Sequence, residues 1–173
     1  MEANRGYDLG LQHVLEIREM VAPVHPFLAR VFPIAIVEND HWLIFEADPS
    51  VGRFVPVQRA PTPMPIPAGV RAAFPLECLG GRPACVVSAD AFDSPSGYAA
   101  IFHEFVHCHQ LASCELELKK RLRIARDADS RGDYMWELNY PFRYSDPRFA
   151  GLYRSFLKAL QRCDGKSIWR YRE

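Results

Sequence analysis

The spacing of apolar residues in this chain changes near residue 93. Before it, short runs rich in β-branched and aromatic residues are separated by turn-forming residues, as in IAIVENDHWLIFEAD from Ile34 and ACVVSADAF from Ala84. Such runs predict strands. After it, apolar residues recur at the helical period of about 3.6 residues, as in AAIFHEFVHCHQLA from Ala99. Strands followed by helices predict an α+β fold, in which a small, mostly antiparallel sheet from the N-terminal half packs against helices of the C-terminal half.

Turn residues divide the first half into strands. The Glu38-Asn39-Asp40 sequence predicts a hairpin, and Gly80-Gly81 predicts a second one, because tight turns need positive φ angles. The strand between them contains Pro56, which cannot donate a ladder hydrogen bond and is expected at an edge or a bulge. One amphipathic helix, over residues 9–20, precedes these strands.

Capping signals place the helices of the second half. Ser94 is a candidate N-cap and Pro95 fits the first helical position, so a helix is expected over about residues 96–112. Asp146 and Pro147 give the same signal for a closing helix.

Composition narrows the class of protein. The 173 residues suit one domain, expected to span residues 1–173. Lys plus Arg and Asp plus Glu both number 21, so the net charge is zero and no nucleic-acid partner is expected. The sequence contains no run of 18 apolar residues and no signal-like start, which predicts a cytoplasmic protein with no membrane partner. Five cysteines without a CxxC pair predict free thiols, with Cys78 and Cys85 as a pair of reduced core thiols.

The HEFVH sequence from His103 to His107 lies within the predicted helix 96–112. Residues four apart on a helix point the same way, so both imidazoles can bind one metal ion. Glu104 lies about 100° around the helix, off the ligation axis but close enough to take a proton from a water at the metal. The apolar flanks predict that these side chains are buried. The alternative is a pair of core histidines held by ordinary hydrogen bonds.

A zinc hydrolase needs a third protein ligand. His109 points about 200° away from His107 and is expected to pack or to act indirectly. Glu137 lies in the apolar, aromatic segment DYMWELNYPF, where solvent exposure does not explain an acidic residue. We therefore expect Glu137 to be the third ligand, with a salt bridge, for example to Arg143, as the alternative. Asp133 would either orient a ligand histidine or cap the helix that carries Glu137.

HEFVH followed by a glutamate in WELNYPF resembles the gluzincin arrangement of the zincin-like metallopeptidase superfamily. The resemblance covers about residues 85–140. It implies a zincin-like fold, a Zn²⁺ cofactor and a peptide or protein substrate, with Glu104 as catalytic base. It also implies a donor to the oxyanion, for which Tyr140 is the first candidate, and a strand, ACVVSADAF, that pairs with the substrate along the cleft. The alternative function is a non-catalytic metal-binding or protein-interaction module. The oligomeric state is left open.

Overall fold

The computed structural model describes residues 6–133 and 145–162. The chain divides into two compact units, Met1–Arg121 and Leu122–Glu173. No helix of the described residues is both long enough and apolar enough to span a bilayer.

The first unit is built on a five-stranded sheet with the order β3-β2-β1-β5-β4. Its strands are β1 (Ile34–Glu38), β2 (His41–Asp48), β3 (Arg53–Pro61), β4 (Arg71–Leu76) and β5 (Arg82–Ser88). Three strand pairs are antiparallel, and the central pair, β1 with β5, is parallel. The sheet is therefore mixed but mostly antiparallel, and the α+β prediction is confirmed.

The turn residues lie where their backbone preferences require. Asn39 and Asp40 have φ angles of 47° and 58°, as in a type I′ hairpin turn, and they connect β1 to β2. Gly80 and Gly81, with φ angles of 66° and 81°, precede β5. Pro56 lies on the edge strand β3, beside the point where the β2–β3 register shifts. Both predicted hairpins and the placement of Pro56 are confirmed.

Five helices occur within the described residues. They are α1 (Asp8–Val21), α2 (Pro95–Ser113) and α3 (Glu115–Arg121) in the first unit, and α4 (Arg123–Ser130) and α5 (Pro147–Arg162) in the second. The start of α2 is as predicted, because Gly97 donates its N–H to the Ser94 hydroxyl at 3.2 Å. Asp146 likewise caps α5 by accepting from the N–H of Arg148 at 2.8 Å.

Both faces of the sheet are covered. On one face, sheet residues pack with α1 and α2 in a single apolar cluster, whose buried members include Leu11, Val14, Ile34, Ile36, Cys85, Val87, Ile101, Phe105 and Cys108. On the other face, Ala35, Trp42, Ile44, Leu76, Ala84 and Val86 form a second cluster, against which Ile66 and Cys78 pack. The helical layer thus includes the N-terminal α1 as well as α2.

Two of the cysteines lie on opposite faces of the sheet: Cys85 is on β5, and Cys78 is in the short 3-10 turn between β4 and β5. Cys85 is buried in the cluster beneath the helices, whereas Cys78 packs against the cluster on the opposite face. The two therefore do not form a pair of core thiols, although both are free as predicted.

Candidate metal centre

Helix α2 carries the HEFVH sequence and packs against β4 and β5. Its inner side buries Ile101, Phe105 and Cys108. At its start, α2 lies close to the turn that precedes it, because Gly97 packs against the backbone of Ala91. His103 and His107 consequently lie on the solvent-exposed side of α2.

The two histidines meet as the helical spacing predicts. Their Nε2 atoms are 3.0 Å apart, and the rings lie edge to face with centroids separated by 4.6 Å. Two nitrogens bound to one tetrahedral zinc at about 2.0–2.1 Å would be about 3.3 Å apart. The observed spacing is therefore close to that of two imidazole ligands of one zinc ion.

The burial of the pair differs from the prediction. Both His103 and His107 are exposed, whereas Glu104 is the buried member of the motif, with 7% of its surface accessible. The apolar flanks of the motif fill the core on the other side of α2, which explains why an uncharged sequence did not mean buried imidazoles. The pair is therefore open to solvent.

Gln110 fixes the proton position on one imidazole. Its Oε1 lies 2.9 Å from Nδ1 of His107. Because an amide oxygen only accepts hydrogen bonds, the contact favours the tautomer of His107 with its ring proton on Nδ1, in which the Nε2 lone pair faces His103. Sequence reasoning missed this residue, although Gln110 follows His107 by three positions and such pairs are neighbours on a helix.

His109 points away from the pair, as predicted. Its Nδ1 lies 3.2 Å from a guanidinium nitrogen of Arg30, and its ring is 4.8 Å from that of Phe27. His109 therefore packs against the segment that precedes β1.

Glu104 is buried, and its charge acts on the thiols of Cys108 and Cys85. Burial, and then the nearby negative charge of Glu104, raise the pKa of the Cys108 thiol to about 12. Burial also raises the pKa of Cys85, and the charges of Cys108 and Glu104 add to this effect. Both thiols are thus neutral at physiological pH. No hydrogen bond or ion pair to the Glu104 carboxylate is formed within the described residues, so this carboxylate is available to a water molecule or a substrate.

Of the other residues predicted for the site, the described part of the chain includes only Asp133. Glu137 and Tyr140 lie outside the described residues, as does Arg143. Asp133 follows α4 in the second unit. Within residues 6–133 and 145–162, no three His, Cys, Asp or Glu side chains are grouped to hold a metal. The assignment of Glu137 as third ligand stays a prediction.

The strand before α2 cannot bind a peptide at its edge. The prediction for ACVVSADAF is wrong because β5 lies between β1 and β4, so both of its edges are already paired. The edge strand next to β5 is instead β4, whose outer edge pairs with no other strand of the described residues. Strand pairing between distant segments decides which strand is outermost, and local sequence does not reveal it.

The backbone groups on the outer edge of β4 can be identified from the register. Ser88 donates its N–H to the carbonyl of Val70 at 3.1 Å, so Ser88 faces β4. Backbone groups alternate in direction along a strand, and the paired residues 72 and 74 therefore face β5. The N–H and C=O groups of Arg71 and Ala73 consequently point outward, together with the C=O of Pro75.

Comparison of the chain with protein-family models, with curated proteins and with solved structures finds no match.

Proposed function

We propose that this chain is a zinc-dependent hydrolase that acts on peptide bonds, with His103 and His107 as metal ligands and Glu104 as general base. The observation that carries the proposal is the 3.0 Å separation of the two Nε2 atoms on the exposed side of α2, one residue from a buried carboxylate. A site with only a structural role has no need of that carboxylate.

The proposed ligands are the Nε2 atoms of His103 and His107 and the carboxylate of Glu137. Zinc bound there would supply a Lewis acid that polarises a carbonyl and makes a water molecule more acidic. Gln110 supports this role, since it holds His107 in the tautomer whose Nε2 can bind a metal. In the absence of metal, Nε2 of His103 can donate to Nε2 of His107 across the same 3.0 Å.

Glu104 would carry the proton during hydrolysis. Its carboxylate takes a proton from the attacking water and delivers it to the leaving nitrogen, so that one group serves as base and then as acid. The carboxylate directly follows His103 in the sequence and has no hydrogen bond or ion pair within the described residues, which supports this role. Tyr140 is the proposed donor to the oxyanion of the intermediate.

The outer edge of β4 is the proposed binding surface for an extended peptide. Arg71 and Ala73 present outward N–H and C=O groups, and α2 packs against the same strand. A peptide that adds to this edge gains main-chain hydrogen bonds independent of its side chains. This mode suits a hydrolase of unfolded or loop segments.

Metal stoichiometry tests the proposed site. Protein purified without a His-tag should contain about one zinc per chain, because His₂Glu is a usual catalytic ligand set. His103→Ala and His107→Ala should each lose the zinc, and Glu137→Ala tests the third ligand in the same way. Elemental analysis after dialysis gives the readout.

His109→Ala is the matched control for metal content. It removes a histidine from the same helix, but one that contacts Arg30 and Phe27, so it should keep the zinc. Equal metal content in the His103, His107 and His109 variants would contradict the assignment.

Gln110→Ala should weaken zinc binding by about 10- to 100-fold, the usual effect of removing a hydrogen-bond partner of a metal-bound histidine. Without Gln110 the proton of His107 is no longer held on Nδ1. Competition with a chromophoric chelator measures the Kd for zinc. Gln58→Ala, on the edge strand β3, is the control and should leave the Kd unchanged. An unchanged Kd in Gln110→Ala would show that this hydrogen bond does not support a metal ligand.

A further inference from the structure

An open cleft lies between α1 and the beginning of α2, on the helical face of the sheet. Its volume is about 670 Å³, within the usual range for small-molecule sites, about 300–1,000 Å³. One stripe of α1 lines it, with a residue from each of four successive turns: Leu9, His13, Ile17 and Val21. The opposite side is largely aromatic and includes Phe92, Tyr98 and Phe102. The cleft is therefore an apolar site between two helices.

The charge on the lining has one sign. Among the described residues of the lining, Asp93 is the only acidic one, and none is Lys or Arg. Glu16 stands next to the cleft, where its carboxylate lies 3.0 Å from Nδ1 of His13. Burial raises the pKa of the Tyr98 hydroxyl, and the negative charges of Asp93 and Glu16 raise it further. Both carboxylates therefore lie close enough to act on the Tyr98 hydroxyl.

Aromatic rings complete a surface suited to a cation. Tyr98 lies edge to face with His13 at 4.9 Å and with Phe92 at 6.1 Å between ring centroids. The faces of such rings attract positive charge. No hydrogen bond to the Tyr98 hydroxyl is formed within the described residues, so its oxygen can accept a hydrogen bond from a ligand.

We propose that this cleft binds small organic cations, with an apolar body between α1 and α2 and a protonated amine beside Asp93 and Tyr98. The start of α2 opposes this preference, because the N-terminus of a helix favours anions. The Ser94 hydroxyl already accepts one of the free N–H groups there, and Asp93 adds a full negative charge next to it. The charge of Asp93 therefore decides the sign of the ligand.

Three ligands that share a phenylalkyl chain and differ in their end group distinguish the effect of charge from that of shape. They are phenylbutylamine, phenylbutanol and phenylbutyrate. Titration of the full chain, followed by NMR chemical shifts with and without a chelator, should give a Kd for the amine at least fivefold lower than that for the alcohol, with the butyrate weakest. The chelator should have no effect, since the cleft does not need the metal.

Two variants locate the binding. Asp93→Asn should remove the difference between amine and alcohol, whereas Asp40→Asn, the same charge change in the β1–β2 turn, should preserve it. Ala99→Trp, at an exposed position that lines the cleft, should weaken all three ligands at least fivefold. Equal affinities for the three ligands, tightest binding of the butyrate, absence of saturable binding, or unchanged binding in Ala99→Trp would each overturn the proposal.

Discussion

Glu104→Gln should lower kcat for peptide hydrolysis by about 10²- to 10⁴-fold, the usual contribution of a positioned general base. The amide has nearly the shape of the carboxylate but cannot take a proton. Because Glu104 is not one of the proposed ligands, the zinc content should stay the same. A casein or peptide-library assay gives the rate, and elemental analysis of the same samples gives the metal.

Glu117→Gln is the matched control for this loss. Glu117 is an exposed residue of α3 that pairs with Lys120, so its replacement should leave both kcat and metal content unchanged. A Glu104→Gln protein that folds, keeps its zinc and hydrolyses peptides at the native rate would exclude Glu104 as the base. If the native protein itself holds zinc but hydrolyses no peptide, the non-catalytic module becomes the better interpretation.

Gly97→Ala should destabilise the first unit by about 3 kcal/mol, at the upper end of the usual cost of overpacking. A Cβ atom at this position would lie 2.1 Å from the carbonyl oxygen of Ala91 and 2.7 Å from its carbonyl carbon. Both contacts are to backbone, so no side-chain rotation relieves them, and α2 must move away from the turn that contains Ala91. Chemical denaturation followed by circular dichroism measures the loss in the free energy of unfolding.

Gly151→Ala provides the comparison within another helix. Nothing lies within 4 Å of a Cβ atom at Gly151, which lies inside α5. The substitution should therefore stabilise its helix by about 0.5–1 kcal/mol through helix propensity. A Gly97→Ala protein as stable as the native one would show that the turn and α2 separate at little cost.

Local features of this molecule could be predicted from the sequence. The φ angles of Asn39 and Asp40, the cap at Ser94 and the approach of His103 to His107 each depend on a few neighbouring residues. The hydrophobic period, with these turn and capping residues, therefore sufficed to predict α1, the strands and the start of α2.

Features that depend on distant segments could not be predicted. Whether β4 or β5 is outermost depends on the pairing of β1 with β5, between residues about fifty positions apart. The exposure of His103 and His107 depends on which side of α2 faces the sheet, and apolar residues flank the motif on both sides. The close packing at Gly97 could not be predicted either, because the sequence does not show that the Ala91 backbone lies against it.

Pro75 limits what can associate with the outer edge of β4. An outward-facing residue without an N–H group interrupts the row of hydrogen-bond donors after Ala73, and the charged Arg71 stands at the other end of the strand. A long, regular strand from another copy of the chain would leave part of its backbone unpaired there, which disfavours aggregation. A segment only a few residues long can still form all of its main-chain hydrogen bonds, so the edge favours transient binding over permanent assembly.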